Sequence, residues 1–206
     1  MTALTPRLHA QAVDELGHRD PDLAAVLAAQ GAPRFWSRPA GFPTLVYIVF
    51  EQQVSLASAK ATFERVCALL PRFTPAAYLA LSDLQLRGAG VSRQKARYTR
   101  LVAEAVLAGR LPIMALGRKS DARARALLTA ITGIGDWTAD IYLMAALRRP
   151  DLWPTGDLAL VKAVQAVKGL DARPEPAWLG ELGESYRPYR SVATHIYWHH
   201  YLNTRN

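Results

Sequence analysis

The sequence predicts an all-α protein, and three observations carry that prediction. Helix-start residues recur at short intervals: Asp20-Pro21, Ser55, Thr74-Pro75, Ser82, Ser92 and Ser120 each precede a segment of helical periodicity. No two alternating segments are joined by a turn of the hairpin kind that marks antiparallel strands. The apolar run short enough to be a strand, Thr44 to Phe50, has no partner strand and reads as a buried helix.

Taken in order, Asp20-Pro21 opens a helix as cap and first residue, and Gly31 closes it. Pro33 to Pro43 is a proline-rich connector carrying Phe35 and Trp36, read as a packed linker. The buried helix of Thr44 to Phe50 follows, and then a periodic stretch from Ser55 to Leu70 that stops at Pro71. Thr74-Pro75 starts a short helix, and Ser82-Asp83-Leu84-Gln85 has the spacing of a capping box. Ser92 caps a long segment ending at Gly109, and Ser120 begins the helix that leads to Gly133. Asp136 is expected to cap a helix from Trp137 to Leu147, apolar almost all round and halted by Pro150. Two more helical stretches, Leu158 to Val167 and Ser191 to Leu202, complete the reading.

The chain of 206 residues is half apolar, enough for one compact domain or two small lobes and too apolar for wholesale disorder. Lys and Arg outnumber Asp and Glu by 25 to 17, a formal charge of +8 that points to nucleic acid. The lone cysteine, Cys67, excludes an internal disulfide and a four-cysteine iron–sulfur or zinc site, and its apolar neighbours mark it as a core residue. Met1 to Leu16 shows neither a signal pattern nor a membrane-length apolar run, so a reduced, cytoplasmic and nucleoid-associated setting is expected.

The segment Leu128 to Asp140 reads as helix, two-glycine hairpin, helix. Gly133 and Gly135 permit positive φ and close backbone approach, and the second helix presents unpaired amides and the positive end of its dipole. That combination suits a phosphate. Asp157, within Pro154-Thr155-Gly156-Asp157-Leu158, is both a favoured helix cap and a lone carboxylate near that hairpin in the chain. The dipole holds such a carboxylate ionised, the state needed to face positive charge developing on a sugar. Asp140 is the competing acid, with pairing to a nearby arginine as its plain reading.

From Leu84 to Ala103 there is no acidic residue, and Arg93, Arg97 and Arg100 fall at i, i+4 and i+7 on one helix face, a pattern that suits a phosphate track. Leu86 to Ser92 echoes the hairpin's glycine spacing, as a second phosphate turn or as an ordinary helix end. His195 and His199 stand four apart beside His200, but no third ligand accompanies them, so no side-chain metal site is expected.

Three blocks together resemble one family. These are Glu51-Gln52-Gln53-Val54-Ser55; Gly90 to Tyr98, including Ser92, Arg93, Lys95 and Arg97; and the hairpin with Trp137-Thr138-Ala139 and the loop to Leu158. Tyr186-Arg187-Pro188-Tyr189 adds a match near the C-terminus. The pattern resembles the helix-hairpin-helix (HhH-GPD) DNA glycosylases, and within them the 3-methyladenine DNA glycosylase II branch. The resemblance implies a two-lobed helical fold with the active-site cleft between lobes: residues 42–150 as a central lobe carrying the hairpin, and 1–41 with 151–206 as a second lobe carrying the catalytic Asp157.

It further implies DNA contacts at Gly133, Ile134, Gly135, Thr138, Ser92, Arg93, Lys95 and Arg97, and a wedge at Gln53 with Gln52 beside it. A base pocket drawn from Trp137, Tyr189, Tyr186 and Tyr142 would accept a cationic alkylated base. Bifunctional relatives place a lysine where Trp137 stands, which implies a monofunctional enzyme releasing 3-methyladenine and related bases, such as 7-methylguanine, and leaving an abasic site. No cofactor is implied, although the carbonyls of Thr129, Ile131 and Ile134 are expected to suit a monovalent cation. The implied partner is double-stranded DNA with damaged bases, and the implied state a monomer. Two alternatives stay open: a glycosylase for a neutral lesion such as hypoxanthine or uracil, and a non-catalytic DNA-binding module.

Overall fold

The computed structural model describes residues 3–204, and among these the secondary structure is entirely helical. The helices are α1 (Pro6–Arg19), α2 (Pro21–Gln30), α3 (Phe42–Glu51), α4 (Leu56–Ala68), α5 (Pro75–Leu79), α6 (Asp83–Gly88), α7 (Arg93–Leu107), α8 (Asp121–Thr129), α9 (Asp136–Ala145), α10 (Leu158–Val167), α11 (Pro176–Ser185) and α12 (Arg190–Asn203), with a 3-10 turn at Ile113–Arg118. Their starts are local chemistry. Thr5, Asp20, Ser55, Thr74, Ser82, Ser92, Ser120 and Asp157 each accept a first-turn amide, and Ser82 with Gln85 forms the reciprocal capping box.

Two expectations about the elements are corrected. Asp136 does not cap α9; Gly135 holds the cap position and has no side chain with which to bond the first turn. The Asp136 carboxylate lies 3.8 Å from Arg125 on α8, so the ion pair draws it away from its own helix. Helices α1 and α11 were also not foreseen.

The chain forms two compact units, one from its two ends (through Ser37 and from Arg148 onward) and one from Arg38 to Leu147. The boundaries fall where backbone bonds change owner. The Arg38 amide donates to Ala145 O at 2.9 Å, while the Leu4 amide donates to Arg148 O at 2.7 Å.

In the central unit, α3 is the buried axis: Leu45, Val46, Ile48, Val49 and Phe50 are at most 1 % exposed. Burying each such side chain contributes about 1.5–3 kcal/mol, which explains why an uninterrupted apolar run settles as an interior helix. Arg38 makes a two-pronged contact with Glu51 at the C-terminal end of α3 (2.9 and 2.6 Å).

The terminal unit packs α1, α2, α10, α11 and α12 around Leu16, Leu23, Leu160, Val164, Val192 and Ile196. A polar network closes it. Asp20 caps α2 and accepts from Lys168 Nζ at 2.7 Å and from the Tyr186 hydroxyl at 2.6 Å, and that hydroxyl sits 2.7 Å from Tyr197 Oη. Burial raises the Asp20 carboxyl, but the Lys168 and Tyr186 donors outweigh it and hold it below the usual carboxylate range.

Candidate functional site

The hairpin between α8 and α9 is built from four supports. Within the turn, the Ile131 amide donates to Leu128 O and the Ile134 amide to Ile131 O at 3.0 Å. Gly133 has φ 94°, and a methyl group there would also fall inside the Tyr98 ring of α7, so glycine is required twice over. Gln52 reaches across from the end of α3, donating to Gly133 O at 3.0 Å and to Thr138 Oγ1 at 2.9 Å. Arg125 on α8 pairs with the buried carboxylate of Asp140 on α9. The hairpin is therefore tied to α3, α7 and α9 by its own contacts.

What this hairpin offers is backbone. Gly135, with φ −87° and ψ 179°, opens α9 without a side-chain cap of its own, a helix start of the kind that suits an anion. The expectation of positive φ at both glycines holds for Gly133 and not for Gly135. Ile134 is 3 % exposed and Thr138 2 %, so the first side chain anchors the turn and the second serves Gln52; neither faces a phosphate.

The other expected contacts divide. Lys95 turns inward and donates to Phe50 O at 2.7 Å, a carbonyl near the end of α3, and burial lowers its ammonium; it is a structural cap, not a DNA contact. Arg100 is likewise committed, to Leu79 O, Leu81 O and Asp83. Ser92 caps α7, while Arg93 and Arg97 are exposed. Gln52 is consumed by the hairpin, so the wedge expectation is corrected there; Gln53 is exposed with φ 57°, projecting from a tight left-handed corner. In the echo turn, Gly90 has φ 90° and Arg65 donates to Ala89 O, so this turn is tied from behind by a side chain.

Asp157 lies in the terminal unit as the cap of α10. Its Oδ1 accepts from the Leu160 amide at 2.7 Å and from the Trp198 indole N–H at 2.9 Å, and the residue is 7 % exposed. The turn before it is closed by the Asp157 amide on Pro154 O at 2.8 Å. Two donors on one oxygen fix the orientation of the carboxyl group at the helix start. Asp140, the rival acid, is a structural partner of Arg125.

Two proposed pocket tyrosines are corrected to core. Tyr142 is fully buried, its hydroxyl accepts from the Gly41 amide at 2.9 Å, and burial pushes that hydroxyl up to about 12. Tyr186 is 2 % exposed and spends its hydroxyl on Asp20. Trp137 and Tyr189 are half-buried. The aromatic residue beside Asp157 is half-buried Trp198, and the ring of Trp36 meets Trp198 edge-on at 6.1 Å. The Arg34 guanidinium sits 4.2 Å over Trp36. Trp198 stands 41 residues beyond Asp157, and no local pattern links them.

The three C-terminal histidines do not converge. His195 is buried against His9, at 5.3 Å between ring centres, and His199 and His200 bond Gln30. Among the described residues, no group of three or more His, Cys, Asp or Glu is placed to hold a metal ion, and no helix is long and apolar enough to cross a membrane.

Residues 46–186 match the model of the HhH-GPD superfamily base excision DNA repair proteins. The chain is 26% identical over 203 residues to DNA-3-methyladenine glycosylase 1 of Schizosaccharomyces pombe, covering 96% of this chain and 88% of that protein. It is 32% identical over 121 residues to the putative DNA-3-methyladenine glycosylase YfjP of Bacillus subtilis, 59% of this chain, and spans 40% of that relative's length. Among solved structures, it matches Schizosaccharomyces pombe 3-methyladenine DNA glycosylase (Mag1) in complex with abasic DNA, with a TM-score of 0.86 and 25% identity over 91% of this chain and 95% of that one. A DNA-3-methyladenine glycosidase from Bacillus halodurans matches with a TM-score of 0.77 and 30% identity over 96% of this chain and 91% of that one.

Proposed function

The chain belongs to the HhH-GPD superfamily of base excision DNA repair proteins, and on that premise we propose that it is a monofunctional DNA glycosylase for alkylated bases such as 3-methyladenine. The observation that carries the proposal is the Asp157 carboxylate, held by Leu160 and Trp198 at a helix start in the family's catalytic motif. A protein that merely clamps DNA needs no such acid.

The reaction runs in three parts. The lesion leaves the stack, at a cost of a few kcal/mol that damage partly spares, and Gln53 fills the space it vacates. The bond between C1′ and the base nitrogen breaks, its electron pair leaving with the base. Alkylation makes the base cationic, so it departs as a neutral product and needs no strong general acid. Asp157 stabilises the oxocarbenium-like sugar, orients the incoming water and takes its proton as the new C1′–O bond forms. A free base and an abasic site remain. Trp137 supplies an electron-rich face for the cationic ring, and Trp198 keeps the carboxylate aimed.

The hairpin amides around Gly135 anchor a neighbouring phosphate. The carbonyls of Thr129, Ile131 and Ile134 are oxygen donors at a helix end, and Ile131 O carries one hydrogen bond, leaving its second lone pair. They fit a monovalent cation, whose charge would favour the same phosphate. No lysine stands at position 137 to attack the sugar, so strand nicking is not expected.

The test is Asp157→Asn. Asparagine caps a helix as well as aspartate does, so the fold should persist. Base release from alkylated DNA should fall by roughly 100- to 1,000-fold, with affinity for an abasic-site duplex within about threefold of wild type. Retained release would transfer the role elsewhere and sink the assignment.

A further inference from the structure

The proline-rich connector carries two aromatic side chains, Phe35 and Trp36, in a stretch of the chain that forms no helix. Their rings close a circle within the terminal unit. Phe35 meets His9 at 5.4 Å, His9 meets His195 at 5.3 Å, His195 meets Trp198 at 6.0 Å, and Trp198 meets Trp36 at 6.1 Å between ring centres. Phe35 and Trp36 are neighbours in the chain, which completes the circle. The imidazole of His195 serves in it as a packing ring, since neither of its nitrogens has a hydrogen-bond partner.

Trp198 is the ring that reaches the acid, donating its N–H to Asp157 Oδ1 at 2.9 Å. An indole is rigid, so ring plane and N–H turn together, and a tilt of the ring takes the donor off the carboxylate. The Leu160 amide anchors the same oxygen to α10, and the indole sets the second direction. The plane of Trp198 is gripped by two neighbours. His195 lies at 31° to it and is itself 1 % exposed. Trp36 crosses it at 70°, the edge-to-face arrangement that aromatic pairs favour. The Arg34 guanidinium in turn lies 4.2 Å over Trp36.

We infer that Trp36 is a positioning residue for Asp157, acting through Trp198: an aromatic edge on the connector sets the aim of the carboxylate. The inference rests on the glycosylase reading and extends it to a residue outside the stretch 46–186 that matches the family model.

The test is single-turnover release of methylated bases from dimethyl-sulfate-treated duplex at saturating protein, with the Trp198 indole N–H followed by proton NMR and assigned by its loss in Trp198→Phe. The single-turnover rate of Trp36→Ala should fall roughly 10- to 100-fold, with affinity for an abasic-site duplex within about threefold of wild type. Its Trp198 N–H signal should move upfield and exchange faster with water. Trp36→Phe, which keeps an edge against Trp198, should recover the rate to within about threefold. Trp36→Leu keeps apolar bulk without a ring and should lose rate as alanine does, which guards against misfolding. In a Trp198→Phe background, Trp36→Ala should cost less than about a further twofold. A full rate in both ringless variants overturns the inference, as do multiplied losses in the double variant. So does weaker binding of the damaged duplex with an unchanged saturating rate, which would make Trp36 a DNA contact. If the wild type releases no base, the glycosylase reading falls, and the indole signal alone decides whether Trp36 aims Trp198.

Discussion

Gly133 shows how much a single residue can be asked to satisfy. Its φ of 94° and the Tyr98 ring beneath it both exclude a side chain. Gly133→Ala is expected to lower stability by about 2 kcal/mol or more, from backbone strain together with the steric conflict, as read by urea unfolding. A loss under about 0.5 kcal/mol would show that the hairpin reshapes freely. At this scale the sequence was informative where chemistry is local. Gly133 announces a turn and Asp157 a cap, because each residue's job is set by its immediate neighbours. It was uninformative where a partner lies far along the chain. Lys95 reads as a phosphate contact until Phe50 O is seen to hold it, Tyr186 reads as a pocket wall until Asp20 takes its hydroxyl, and no local pattern ties Trp198 to Asp157.

Helices were legible through their caps, and the exceptions follow the same rule. Helix α11 begins at Glu175-Pro176 with no side-chain cap and carries two internal glycines; Gly183 is there because the Trp153 ring lies against it. Gly183 looks like a breaker from sequence and is a clearance in three dimensions, while Gly180 faces open space. Asp136 looked like a cap and became half of an ion pair. Between elements, Gln52 couples α3 to the hairpin and to α9 through two donated bonds. Gln52→Leu should leave Gly133 O and the Thr138 hydroxyl unmatched, at a cost of about 1–2 kcal/mol. Faster amide exchange in residues 131–135 and about three- to tenfold weaker duplex binding are the expected signs. Unchanged exchange would mean that Arg125 alone secures the turn.

For the whole molecule, acid is the informative stress. His195 is buried with no hydrogen-bond partner on either ring nitrogen, and burial, then the nearby His9, depresses it to about 3; burial lowers His9 as well. Both are neutral in the fold, while the unfolded chain takes up protons below its ordinary histidine value of about 6.5. Their contribution to stability is thus fully present above that pH and is lost as pH falls toward the depressed values. The slope is up to about 1.4 kcal/mol per pH unit for each group. Urea unfolding between pH 7.5 and 5 should show it, and His195→Phe should flatten it. An identical pH dependence in that variant would place the sensitivity elsewhere. Charge gave the whole-molecule reading its direction, since +8 signals a polyanion, but not which of the arginines are uncommitted.

The glycine cap of α9 carries a consequence for what position 135 can become. Serine, threonine, asparagine and aspartate are the residues that ordinarily strengthen a helix start, and the φ of −87° at Gly135 would admit any of them. Each would bend its own oxygen onto the amides that a phosphate is meant to reach. Improvement by the usual rules would therefore make the protein sturdier and its hold on nucleic acid poorer, and glycine is the residue that leaves the seat open.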